Sequence, residues 1–162
     1  MSSDGPTYER PHVRLLRERL AEPRRLLQFV GGPRQAGKTT IVQQALAGLG
    51  APSLYASADE PVVRDTAWLT AQWESARELA TGSRGKGATL ALDEVQKVSG
   101  WSETVKRLWD EDTRRRRPLR VVLLGSAPLL MQRGLGESLA GRFETIHVGH
   151  WSFAEMREAF GW

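Results

Sequence analysis

The 162 residues carry 40% hydrophobic and 26% charged side chains with a net charge of +4, which suits one globular domain and excludes a disordered or collagen-like chain. Cysteine is absent, which excludes disulfide scaffolds, thiolate metal sites and cysteine nucleophiles. No apolar run nears the roughly 20 residues that span a bilayer, and the start is polar, so the expectation is a cytoplasmic protein with no membrane segment.

Residues 1–10 lack apolar periodicity and read as a mobile tail ahead of a single domain over residues 11–162. From Pro11 to Leu20, Val13, Leu16 and Leu20 share one helical face, and Pro23 stops that helix. Leu26 to Val30 is a short apolar strand running into Gly31-Gly32. Lys38 to Leu49 reads as a helix with Ile41, Val42, Ala45 and Leu49 inside, and Ser53 to Ser57 as a second strand. A long helix is expected from Pro61 to about Ala80, with Ala67, Trp68, Ala71, Ser75 and Leu79 at helical spacing. Gly82 to Gly87 is a glycine-rich basic loop before an apolar strand, Thr89 to Leu92. Trp101, Val105, Leu108 and Trp109 mark the next helix, and the run Arg114 to Arg117 follows it. Leu119 to Leu124 is a third apolar strand after the glycines, closing on Gly125-Ser126. A helix over Leu129 to Leu139, a strand over Thr145 to Val148 and a helix over Phe153 to Phe160 complete the chain. Strands this apolar, alternating with helices, imply an α/β fold with a parallel sheet covered on both faces.

Two segments carry chemistry. Gly32-Pro33-Arg34-Gln35-Ala36-Gly37-Lys38-Thr39 satisfies the Walker A pattern, with Thr40 following it between a strand and a helix. A phosphate chain needs inward-pointing N–H groups, which a glycine-rich turn allows, above the positive end of a helix. Lys38 then reaches the β and γ phosphates as a point charge, and the Thr39 hydroxyl is a Mg²⁺ ligand. In a chain with only four lysines among 23 cations, a lysine at that position is informative, since the bulky fork of arginine does not fit the role.

The second segment is Asp93-Glu94, at the C-terminal end of an apolar strand. In a parallel sheet that end also carries the phosphate loop, so Asp93 would hold Mg²⁺ and Glu94 would activate the attacking water. Ser126, ending the next strand, either contacts the γ phosphate or that water, or caps the following helix. Arg142 either reaches a γ phosphate in a neighbouring subunit, or is a surface arginine, or pairs with Glu137 or Glu144. The run Arg114 to Arg117 reads as a solvated charge run at a helix C-terminus, with a nucleic-acid contact as the alternative. Trp68, Trp101, Trp109 and Trp151 fall at helical spacing or element ends and read as core. The three histidines are too dispersed for a metal triad.

These residues resemble the prokaryotic AAA-type, or archaeal-type, P-loop ATPases. The similarity runs from Gly32-Pro33-Arg34-Gln35 through Ala58-Asp59-Glu60-Pro61, Leu92-Asp93-Glu94-Val95-Gln96-Lys97, Leu124-Gly125-Ser126 and Glu137 to Arg142. It implies the P-loop NTPase three-layer αβα sandwich with about five strands in the order 5-1-4-3-2. By position it implies nucleotide binding by Gly32 to Thr40, a sensor role for Ser126, and a finger or sensor role for Arg142. Members of that group continue well beyond Trp151-Ser152-Phe153-Ala154-Glu155, so a core with no helical lid is expected here. The expected function is Mg²⁺-dependent ATP hydrolysis by Lys38, Glu94, Ser126 and Arg142. The alternatives are a slow nucleotide-dependent switch or interaction module and a DNA-associated ATPase, with a homo-oligomer if Arg142 acts in trans.

Overall fold

Side-chain alternation along the strands decides the layers. In strand β3 (Ala88–Asp93), Leu90 and Leu92 face one side of the sheet and Ala91 the other, and all three are buried. Strand β4 (Leu119–Gly125) repeats the arrangement, with Val121 and Leu123 on the first side and Val122 and Leu124 on the second. Both faces are therefore covered, which is why these strands read as unbroken apolar runs.

The computed structural model describes residues 8–59, 64–126, 133 and 135–161. Besides β3 and β4, the sheet contains β1 (Leu27–Gly31), β2 (Ser53–Ser57) and β5 (Phe143–His147), in the order β2-β3-β4-β1-β5. Every pairing is parallel, and the order is the expected 5-1-4-3-2 seen from the other edge. Helices α1 (Pro11–Ala21) and α2 (Lys38–Ala47) cover one face through Val13, Leu16, Ile41 and Val42. Helices α3 (Thr66–Thr81) and α4 (Trp101–Arg114) cover the other through Leu69, Trp73, Val105 and Leu108. Helix α5 (Phe153–Phe160) follows β5, opens with a capping box from Ser152 to Glu155, and buries none of its residues.

Several expectations change. Arg10, expected in the tail, is 4% exposed and bonded to three separate segments, while residues 1–7 of that expected tail lie outside the described residues. Helix α3 starts at Thr66 because Asp65 accepts a hydrogen bond from Trp68 N at 2.9 Å and caps it. The inner face of α3 is Leu69, Trp73, Ala76 and Ala80, whereas Ala67, Ala71, Ser75 and Leu79 face solvent. Leu46 takes the inner place on α2 expected of Leu49. Trp101 and Trp109 are core, whereas Trp151 is 37% exposed. Strand β5 begins at Phe143, two residues before the expected start. Most of the helix expected over Leu129 to Leu139 lies outside the described residues, as does Pro61.

Candidate functional site

The end of β1 sets the site. Strand β1 runs into Gly31-Gly32, and a Cβ on Gly32 would stand 2.0 Å from Val148 O, so only glycine lets the chain turn against the end of β5. Gly37 holds φ +91° as the N-cap of α2, a conformation that also favours glycine. Between them the loop presents Arg34 and Gln35, while Ala36 is buried. Helix α2 then starts at Lys38, so its unpaired N–H groups and positive dipole end lie beneath the loop.

Lys38 is only 7% exposed. Its ammonium donates to Gly32 O at 2.8 Å and Pro33 O at 2.7 Å, spanning the loop from inside. Burial pushes its pKa down, opposed by the charges of Glu94 and Asp93. Thr39 Oγ1 stands 3.3 Å from Asp93 Oδ2, joining the start of α2 to the end of β3. Arg34, Gln35, Gly37, Lys38, Thr39, Asp59, Asp93 and Glu94 together line a cleft of about 380 Å³. It lies at the C-terminal ends of the parallel strands, where such sheets bind ligands. Pro33 and Gly32 contribute carbonyls to Lys38, while Thr40 is exposed on α2 and outside the lining.

Glu94 adopts the left-handed conformation at φ 55°, which is uncommon for a residue with a side chain, and it is 8% exposed. Ser126 Oγ donates to its Oε1 at 2.7 Å, and Gln96 Nε2 donates to its Oε2 at 2.6 Å. Ser126 thus joins Glu94 across adjacent strands. Tyr55, from β2, donates its hydroxyl to Asp93 Oδ2 and sits 3.4 Å from Thr39 Oγ1. Burial raises the pKa of this phenol above its ordinary value, and the hydrogen bond to Asp93 raises it further. Asp59 pairs with Lys97 at the cleft rim, and that contact lowers the pKa of Asp59.

Arg142 lies apart from these residues. It immediately precedes β5, and its carbonyl accepts from Leu27 N at 2.8 Å, at the N-terminal end of the sheet. Strand geometry puts that about 13 Å from the turn after β1. Its guanidinium grips Asp110 through both carboxylate oxygens, at 2.8 and 2.9 Å, rather than the expected Glu137 or Glu144. Asp110 is correspondingly held below its ordinary pKa by the Arg142 hydrogen bonds.

Three residues of the site were assigned no role from the sequence: Tyr55, Gln96 and Arg10. Arg10 donates to Ala36 O at 2.7 Å, to Gly149 O at 3.0 Å and to Glu155, tying the loop to the segment after β5. Gln96 sits in the Leu92 to Lys97 stretch that carries the resemblance but has no chemical role in it, and Arg10 is a polar side chain with no motif around it. Tyr55 reaches Asp93 because the register pairs Tyr55 with Ala91, two residues upstream of the acid.

The donor set fits a hard divalent cation. A hydroxyl and a carboxylate oxygen lie 3.3 Å apart at the cleft, and no cluster of three or more His, Cys, Asp or Glu that could hold a metal exists among the described residues. Such a pair suits Mg²⁺ completed by phosphate oxygens and water rather than a cage of protein ligands.

A parallel sheet with a glycine loop, a helix N-terminus and an acidic strand end around one cleft defines a P-loop nucleotide-binding fold. The chain belongs to the AAA domain family, whose model matches residues 24–157. It is also 32% identical over 117 residues to an uncharacterized protein of Mycobacterium bovis and to one of Mycobacterium tuberculosis. Those matches cover 72% of this chain and 23% of each relative, so it spans about a quarter of their length. Among the described residues, no helix is long and apolar enough to cross a membrane.

Proposed function

We propose that the chain binds ATP with Mg²⁺ and hydrolyses it. The observation that supports this best is the convergence of Lys38, Thr39, Asp93 and Glu94 on one cleft at the C-terminal edge of the sheet. The Gly32 to Thr39 backbone cradles the phosphate chain. Lys38 leaves its two loop carbonyls for the phosphate oxygens, which restores to its buried charge the partner that burial makes costly. Thr39 and Asp93 hold the metal, which neutralises charge on the phosphates when bound. Glu94 takes a proton from water attacking the terminal phosphorus in line, the bond to the bridging oxygen breaks, and ADP and phosphate leave. Ser126 orients Glu94 through the bond it already makes.

Arg142 is too far from its own cleft to touch this chemistry. Its contribution is in trans, on a neighbouring copy, after release from Asp110. Turnover per chain that rises with protein concentration, and a loss on the order of 10³-fold in Arg142→Ala only under those conditions, supports that assignment.

The deciding experiment is Glu94→Gln beside Lys38→Ala. The first keeps affinity for labelled ATP and loses turnover by about 10²-fold or more. The second loses ATP binding itself. Wild-type hydrolysis by Glu94→Gln overturns the role given to Glu94.

One observation favours a second reading, a slow nucleotide-dependent switch: both oxygens of Glu94 are already engaged, by Ser126 and Gln96. A switch combines slow single-turnover chemistry with tight retention of nucleotide, which a chase with unlabelled ATP measures.

A further inference from the structure

A parallel sheet has two ends, and the cleft takes one. The other end is built from three connections, residues 22–26, 82–87 and 114–118, which precede β1, β3 and β4. They are fastened side by side. Arg24 Nε donates to Leu119 O at 2.7 Å, and Arg120 donates to Glu22 O at 2.8 Å. Ala88 N donates to Pro118 O at 3.1 Å. A Cβ on Gly87 would stand 2.4 Å from Pro118 O, so the glycine loop lies directly against the arginine run.

These connections present Arg25, Arg84, Lys86, Arg114, Arg115 and Arg116, all exposed. Among the described residues, none of the six stands within ion-pair distance of a carboxylate. Most acids nearby are already engaged: Asp110 grips Arg142, Glu74 pairs with Arg77, and Glu111 and Asp112 face Arg77 and Arg117, which leaves Glu78 and Glu22 against the six cations. Glu22 is the only acid within the three segments. The dipole at the C-terminus of α4 accounts for a cation or two there. Helices α1 and α3 end on the same side, but Arg25, Arg84 and Lys86 lie three to five residues past those ends, where the dipole effect has fallen off.

The residues beneath them point the same way. Burial pushes the pKa of Arg24 down to about 10, with Arg120 lowering it further against the pull of Asp112. Burial lowers Arg120 as well. An anion close by favours the charged form that burial disfavours in both guanidiniums.

We propose that this end of the sheet binds the phosphodiester backbone of a nucleic acid. Guanidinium forks match phosphate oxygens two at a time. Contacts of this kind position a chain without reading its sequence. An anionic lipid surface fits less well, because none of the three segments carries an aromatic side chain to insert. The inference stands independently of the hydrolysis assigned to the cleft.

The test is fluorescence anisotropy of labelled duplex DNA, single-stranded DNA and single-stranded RNA with the full chain. Binding is expected to weaken about 10²-fold or more between about 50 and 200 mM salt, as four or more neutralised phosphates require. Reversing Arg114, Arg115 and Arg116 to Glu is expected to weaken it at least about tenfold. Reversing Arg25, Arg84 and Lys86 does the same through the other two connections, so a local effect on α4 cannot mimic the result. A control reversing Arg14, Arg133 and Arg157 makes the same charge change elsewhere and is expected to stay within about twofold. Three outcomes overturn the proposal: no binding to any of the three nucleic acids, equal losses in control and test sets, or capture by phosphatidylserine vesicles without nucleic-acid binding.

Discussion

Ser126 donates its hydroxyl hydrogen to Oε1 of Glu94 at 2.7 Å, while Gln96 holds Oε2 at 2.6 Å. The carboxylate is fixed from both sides by residues on different elements. If fixing it serves catalysis, losing either donor lets Glu94 drift from the water it must meet. Ser126→Ala and Gln96→Ala are each expected to lower turnover about tenfold, the value of one hydrogen bond to a charged group, with ATP affinity unchanged. Steady-state rates beside equilibrium binding decide it. A rise in turnover in either variant favours the switch reading, in which these bonds restrain the base.

Tyr55 bears on the metal rather than the water. Its hydroxyl occupies one oxygen of Asp93 and lies 3.4 Å from Thr39, so it sets which way the carboxylate faces. Tyr55→Phe keeps the ring and removes only that constraint. The Mg²⁺ concentration for half-maximal turnover is expected to rise about fivefold, near 1 kcal/mol, while ATP binding without metal is unchanged. Mn²⁺ binding followed by electron paramagnetic resonance in the presence of nucleotide is expected to weaken in parallel. Unaltered metal affinity removes Tyr55 from the site.

The most legible part of this molecule was local. Gly32 to Thr39 is contiguous and draws its chemistry from neighbours in the chain, whereas Asp93-Glu94 takes its meaning from the parallel sheet that carries both segments to one end. Strand order followed from the family resemblance. Arg10 was unreadable because its partners lie 26, 139 and 145 residues away. Tyr55 required the β2–β3 register. Helix α3 misled for a different reason. It carries two stripes of small or apolar residues, and what selects the Leu69, Trp73, Ala76 stripe is a partner on α4, Asp112, which accepts from Trp73 Nε1 at 2.8 Å.

That aspartate is fully buried, and its removal is costly. Besides Trp73, it accepts from Arg117 at 3.1 Å. Arg77 Nε stands 2.8 Å away but off the line of a hydrogen bond, so that contact is Coulombic. Asp112→Ala leaves Trp73 Nε1 buried without its acceptor and the Arg77 guanidinium with only Glu74 at 2.9 Å and Glu111 at 3.8 Å, and is expected to cost about 1–3 kcal/mol in urea unfolding. Asp112→Asn retains an acceptor for Trp73 and is expected to cost less. A loss below about 1 kcal/mol for the alanine variant contradicts this account.

His12, at the start of α1, gives the fold a pH dependence of its own. Its Nδ1 is buried without a hydrogen-bond partner, and burial, helped by the charge of Arg10, lowers its pKa from 6.5. The unfolded chain therefore binds a proton near pH 6.5 that the folded chain refuses, so between the two pKa values stability rises with pH. This contribution is fully present above pH 6.5 and is lost as the pH falls through the lowered folded value. Asp59, Asp110 and Glu155, all lowered from ordinary values of 3.8 to 4.5, lose theirs only in more acid solution. Melting temperature is accordingly expected to drop between about pH 7 and 5 in the wild type, and His12→Gln is expected to flatten that limb while leaving the acid one. An unchanged slope in His12→Gln assigns the limb to another group.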